Sequence, residues 1–404
     1  MEREHLDILM VLPYFPYPPE SGGRTRSFYL IQHLSEIDNV SLLVFLRDSE
    51  ELQHLEALKP FCKDIHVVQR NRPFSPKTWL RYICCDRSFY ETIYWSEAAV
   101  GMLKELICHH SYDVVHLECS YLGQYLRFLP PGFRFLLDPN IEYRILERYH
   151  DVTRNPALRA LLSIDAKRLM QAEQRAWLEA DVCGTVSAVD RAEILRLCPN
   201  KCVAVIPNGA EILAEVELPS CVGDHQILFT GNFRYFANVD AAQYFCSEVL
   251  PSIVQVIPEI EVWIVGVDAA RKLRRLANRP RVKIIDRVPD LKPYLRSASV
   301  YVCPLRAGSG TKLKVLEAMA AQKAIVSTSV GAEGLEVENG RHMFISDEPT
   351  AFASNVIRLL LDTELRLRLA RQARQLAVAQ YSWRAIAMKL HEVYTYMVNS
   401  RRRA

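Results

Sequence analysis

YVCPLRAGSGTKLKVLEAMAA, residues 301–321, passes from a buried strand through a glycine-rich loop into a helix. Residues 299–303 are apolar at strand length, and the loop holds Arg306, Gly308, Ser309, Gly310 and Thr311. The helix that follows carries Lys312 and Lys314 in its first turn and Glu317 one turn further on. Glycines let a backbone approach phosphate oxygens, and a helix start offers unpaired N–H groups at the positive end of its dipole. Arg306, Lys312 and Lys314 would add charge-assisted hydrogen bonds. Glu317 is placed to accept from two vicinal hydroxyls, as an acidic residue does with ribose in dinucleotide folds. Together these fit a diphosphate attached to a ribose. The same residues also describe a plain glycine turn before a helix capped by solvated lysines.

Outward from this segment, strand-length apolar runs alternate with helical periodicity. Residues 8–12, 40–45, 65–68, 114–117, 134–137, 182–186 and 202–206 read as strands, with helices over 24–35, 50–58, 96–108 and 156–180. Continuous apolar strands separated by helices imply a parallel sheet covered on both faces. After Pro207-Asn208-Gly209 the periodicity lapses, and the acidic stretch 211–224 reads as a linker. Strands then resume at 227–230, 262–265, 282–285, 299–303, 324–327 and 343–345, before a helical tail over 351–398. The chain is therefore α/β, with two Rossmann-like, doubly wound parallel-sheet domains. The first spans 1–207 and the second 208–380, and the final helix, 381–404, is long and amphipathic.

Composition agrees. The 404 residues are 50% hydrophobic, enough for two cores, and 50 Lys+Arg against 47 Asp+Glu give no bulk charge that favours nucleic acid. The eleven cysteines are scattered without zinc-ligand spacing and read as reduced, mostly buried thiols of a cytoplasmic protein. No apolar run reaches the ~20 residues of a membrane span, and the N-terminus does not read as a signal peptide.

In open parallel sheets ligands bind at loops beyond the carboxyl ends of strands. The loop PYFPYPPESGG ends in Gly22 and Gly23 before a helix expected to open at Arg24, and suits close approach to a phosphate or acceptor. Gly231 ends a strand, Arg234 is a nearby cation, and Asn238 has the character of an N-cap for a helix starting at Val239. Gly331 lies in the turn GAEG. His116 sits at the end of a strand, where a lone histidine is more often structural than catalytic. Segment 69–95 interleaves Arg and Lys with Trp, Tyr and Phe, a mixture that suits an anionic membrane surface, a lipid-linked acceptor, or a solvated loop with its aromatics tucked inward.

With LPYFPYPPESGGRTRSFYL, VVHLE, LLDPNIEY, VIPNGAE, LFTGNFRYFANVDAAQYF and STSVGAEGL in order along the chain, the sequence resembles glycosyltransferase family 4. That resemblance implies the GT-B arrangement, two Rossmann-like domains facing across a cleft, with the last helix crossing back to the first. It implies a retaining transferase that takes a nucleotide-diphosphate sugar and a glycan, glycolipid or polysaccharide-precursor acceptor, with no cofactor and no metal. The backbone at Val288 would read the base, Gly331 would close over the sugar, and Arg306, Lys312 and Glu317 would carry the chemistry with Asn140. Relatives place a histidine where Pro139 stands, beside Asp138 and Glu142 on the acceptor side, so His116 is a candidate substitute. Relatives also place an Arg after the glycine equivalent to Gly231 and a Lys before the helix, where this chain has Asn232 and Ala237-Asn238, and a Glu where it has Ser309. A nucleotide-sugar epimerase of the same fold and a non-catalytic nucleotide-sugar-binding partner are the competing readings.

Overall fold

The computed structural model describes residues 5–73, 75–153, 155–212, 225–308 and 311–403. The chain divides into two compact units, Met1–Pro207 with Ile386–Ala404, and Asn208–Ala385. Most of the expected linker, together with Ser309 and Gly310, lies outside the described residues.

The first unit is a seven-stranded parallel sheet in the order β3-β2-β1-β4-β5-β6-β7. Its strands are β1 (Asp7–Leu12), β2 (Asn39–Leu46), β3 (Asp64–Gln69), β4 (Val114–Glu118), β5 (Arg134–Asp138), β6 (Val182–Thr185) and β7 (Val203–Val205). The second is a six-stranded parallel sheet in the order β10-β9-β8-β11-β12-β13. It comprises β8 (Gln226–Thr230), β9 (Glu261–Val265), β10 (Val282–Ile285), β11 (Val300–Cys303), β12 (Ala324–Ser327) and β13 (Phe344–Ile345). The central strands are wholly buried because helices cover both faces, so the strands read as unbroken apolar runs. Each unit is thus a doubly wound, Rossmann-like domain.

Three local expectations need correction. Residues 49–57 wind as tighter 3-10 turns, not as an α-helix. The first helix is Gly22–Leu34, with extended Ser21 before it, so both glycines lie inside its first turn. Gly23 is there for packing: a Cβ at that position would fall 2.6 Å from the Tyr14 hydroxyl. Of the ten cysteines described, all free thiols, only five are buried.

The last helix, Trp383–Arg403, starts in the second unit, where Trp383 lies so close to Gly209 that a Cβ there would meet the indole at 2.6 Å. From Ile386 on it belongs to the first unit, where Tyr394 is wholly buried against Phe135 and its hydroxyl meets His116 Nδ1 at 2.5 Å. Tyr394→Phe should strip that imidazole of its hydrogen-bond partner. Equilibrium urea unfolding should show a loss of about 1–3 kcal/mol, the usual cost of an unsatisfied buried polar group.

Candidate functional site

In the second unit the chain fills β8, β9 and β10 outward in one direction, then returns to the other side of β8 with β11. The loops after β8 and β11 therefore diverge at the carboxyl edge, which opens a crevice at this switch point. Beneath it, Thr230 and Tyr301 join the two strands through a hydroxyl pair at 2.8 Å. The glycine loop and the Gly231 loop are thus neighbours by topology, not by sequence.

The helix after β8 is Phe236–Tyr244 and starts earlier than expected, with Tyr235 before it and no side-chain cap. Asn238 is consequently a first-turn residue with a different job. Its amide nitrogen donates to Asn232 O at 2.7 Å, and its oxygen accepts from Lys314 Nζ at 2.5 Å. Lys314 Nζ also lies 4.9 Å from the centre of the Phe229 ring. A Cβ on Gly231 would sit 3.0 Å from Asn238 Cγ and 3.2 Å from Lys314 Nζ, so the glycine makes room for this crossing.

Four cations were candidates to supply the charge missing at Asn232 and Asn238, and the structure sorts them. Arg234 donates to Asp268 at 3.2 Å. Arg306 makes a two-pronged pair with Asp240, at 3.0 and 2.6 Å, and its guanidinium stacks 4.6 Å above Tyr244. Buried Lys312 precedes the helix Leu313–Ala320 and faces Glu333 at 3.5 Å. Lys314 rests on the neutral amide of Asn238, with the Glu317 carboxylate nearby. Burial draws its pKa down to about 8, helped by the nearby Lys312 charge and opposed by Glu317. Glu317 is drawn up to about 7 by burial; Lys314 holds it down and Glu211 pushes it up.

Gly308 has a φ of 139°, a conformation that only glycine takes easily, and Thr311 is buried, its carbonyl accepting from Asn208 Nδ2 at 3.3 Å. Gly331 lies buried in the short helix Ser329–Ala332, which Thr328 caps by accepting from Gly331 N at 3.0 Å. Val288 is half-buried against the core near the end of β10. The pairings of Asp240, Glu333 and Asn208 were not legible in the sequence because their partners lie far away in the chain.

In the first unit, His116 lies mid-strand in β4 rather than at its carboxyl edge, paired in register with Met10 and Phe135. It is wholly buried, and burial with the nearby Arg26 charge lowers its pKa to about 3. It is a neutral packing residue there. Asp138 accepts from Ser120 N and from Trp177 Nε1, both at 2.6 Å, while burial raises its pKa to about 6. Glu142 is raised to about 7 by burial and by Asp138, and the Asn140 side chain hydrogen-bonds to it. Buried Glu173, unmarked by any sequence motif, closes the cluster: it accepts from Glu142 N at 2.9 Å, Tyr143 N at 3.1 Å and Ser120 Oγ at 3.1 Å. Glu118, at the end of β4, accepts from Tyr14 and Ser27, and buried Arg26 donates to the carbonyls of Ile206 and Pro207. Among the described residues no group of three or more His, Cys, Asp or Glu side chains could hold a metal, and no helix is long and apolar enough to cross a membrane.

Residues 224–362 match the family described as "Glycosyl transferases group 1". A Klebsiella pneumoniae protein described as "Uncharacterized 44.6 kDa protein in cps region" is 21% identical over 87% of this chain and 90% of its own. The phosphatidyl-myo-inositol mannosyltransferase of Mycobacterium tuberculosis is 31% identical, over 38% of this chain and 43% of its own length. In three dimensions the chain resembles HepE of Anabaena, solved in complex with UDP, with a TM-score of 0.66 at 14% identity over 97% of this chain and 100% of that one.

Gly331→Ala would place a methyl group 2.3 Å from Ser327 Oγ and 2.7 Å from Cys303 O. The Cys303 carbonyl is backbone at the end of β11 and cannot yield cheaply. Thermal or urea denaturation should register a loss of about 1–3 kcal/mol.

Proposed function

We propose that this chain is a retaining glycosyltransferase of the hexosyl-transferring type, moving a sugar from a nucleotide-diphosphate donor to a hydroxyl acceptor without a metal ion. The observation that carries the reading is Lys314, turned across Gly231 at the β8–β11 switch point and held there by Asn238 rather than by a carboxylate. A cation kept in place on a neutral partner is set up for a diphosphate. Glu317, one turn on, would accept from the ribose hydroxyls. The group 1 domain, the mannosyltransferase relative and the UDP complex of HepE support this assignment.

The acceptor hydroxyl would attack the anomeric carbon on the face from which the diphosphate leaves. The bond between that carbon and the diphosphate oxygen breaks, and the acceptor proton passes to the departing diphosphate. No protein nucleophile is needed. The protein's contribution is fixed charge at the leaving group, from Lys314, Lys312 and the start of the helix Leu313–Ala320. Arg306, taken up by Asp240, anchors the loop to the helix Phe236–Tyr244. Asn140 and Glu142 of the first unit serve the acceptor, of the glycan, glycolipid or polysaccharide-precursor class.

Lys314→Met should weaken UDP binding about 10- to 100-fold, the worth of one charge-assisted hydrogen bond, with the melting curve unchanged; titration calorimetry reads this directly. Calorimetry in which Lys314→Met binds UDP as well as the parent would overturn the assignment.

The pH dependence follows from the two groups. UDP affinity should fall as pH drops through about 7, where Glu317 takes up a proton, and fall again above about 8, where Lys314 loses one. Glu317→Gln should abolish the acid limb and keep the alkaline one. Release of nucleoside diphosphate that requires an acceptor separates transfer from epimerisation and from simple binding.

A further inference from the structure

The helix Pro76–Cys84 is apolar on both sides. Its inner side is satisfied: Tyr82 is buried, and Trp79, Tyr82 and Phe89 pack ring against ring at 5.4–5.8 Å. The outer side nevertheless presents Leu80 and Ile83, 63% and 69% exposed, with Lys77 exposed and Arg81 half-exposed beside them. Among the described residues of this region, two aliphatic side chains rather than the aromatic ones are the most exposed apolar groups. Its Arg70 and Arg87 are also turned to rings, over Tyr94 and Trp95.

A second helix carries a similar surface. Pro156–Glu179 lies against the first: Arg168 donates to Tyr82 O at 3.2 Å and sits 5.2 Å above the Tyr82 ring, and Asp165 accepts from Phe89 N at 2.8 Å. Beyond those contacts its apolar stripe runs on uncovered. Leu158, Leu161 and Ile164 are 45%, 36% and 53% exposed, and residues 155–161 are exposed on every side. Exposed Arg159 and Lys167 flank them. Neither the helix Pro76–Cys84 nor residues 155–164 contain an acidic side chain. Five exposed aliphatic side chains among basic ones, on two helices fixed to each other, are costly in water alone.

We propose that this face docks on an anionic lipid bilayer, with Leu80, Ile83, Leu158, Leu161 and Ile164 entering the headgroup–acyl boundary and Lys77, Arg81, Arg159 and Lys167 on lipid phosphates. Charge complementarity selects the occupant. A second copy of the chain would bring the same basic residues against themselves, whereas anionic headgroups neutralise them while the aliphatic groups leave water. The donor assignment does not enter this inference.

The test is flotation of the full chain with phosphatidylcholine vesicles, with and without phosphatidylglycerol, at low and high salt. The chain should float only with the anionic vesicles and be released by salt. Lys77→Gln with Arg81→Gln should reduce partitioning about 30-fold, the worth of two surface cations. Leu80→Ser with Ile83→Ser should reduce it more than tenfold. Because all four residues lie on the surface, melting curves and UDP affinity should stay at parental values. No flotation at low salt, flotation indifferent to both pairs, or a light-scattering dimer that the serine pair dissolves would each overturn the proposal.

Discussion

An ammonium group that crosses from one loop to the other above a glycine organises the second unit's site. Lys314 belongs to the helix after β11, yet it is held by Asn238 on the helix after β8. Any side chain at Gly231 would obstruct it. The crossing explains how a chain with Asn232 and Asn238 in place of basic residues still brings charge to the first loop. Burial is the main cause of the downward pull on Lys314, and the nearby Lys312 charge adds to it.

The neighbouring cations show the contrasting arrangement. Arg306 is planar and two-pronged, and it meets a carboxylate of matching geometry in Asp240 while its flat face covers Tyr244. Such a pair sets position more than it supplies free charge. Lys312 faces Glu333. Around the glycine loop, then, Arg306 and Lys312 face carboxylates while Lys314 hydrogen-bonds to an amide.

The first unit has its own switch point, between β1 and β4, and there the crevice holds buried polar groups. Tyr14 and Ser27 donate to Glu118, and Arg26 reaches the carbonyls of Ile206 and Pro207, the last residues before the second unit. Beside β5, Asp138, Glu142 and Glu173 crowd three carboxyl groups into buried or half-buried positions, which raises the pKa of each. Backbone N–H groups of Ser120, Glu142 and Tyr143 and the Trp177 indole satisfy Asp138 and Glu173, and thereby fix the start of the helix Glu142–Val152.

Strand positions were legible in the sequence because strands buried on both faces must be continuous apolar runs, and β10 and β12 begin and end where those runs do. The glycine loop was legible for the same local reason: Gly308 needs a positive φ that other residues resist. Helix starts were less so. The first turn at Gly22 and the displaced role of Asn238 depend on Tyr14 and Lys314, which lie elsewhere in the chain. The sequence by itself determined the two sheets, the residue types of the phosphate-like loop and the spacing of Glu317 behind it. Only the tertiary structure decided that Lys314 meets Asn238, that His116 is enclosed beneath Tyr394, and that aliphatic rather than aromatic side chains face outward on Pro76–Cys84. Periodicity reports which groups must leave water; which partner each polar group meets is set by strand order, and strand order is a property of the folded chain.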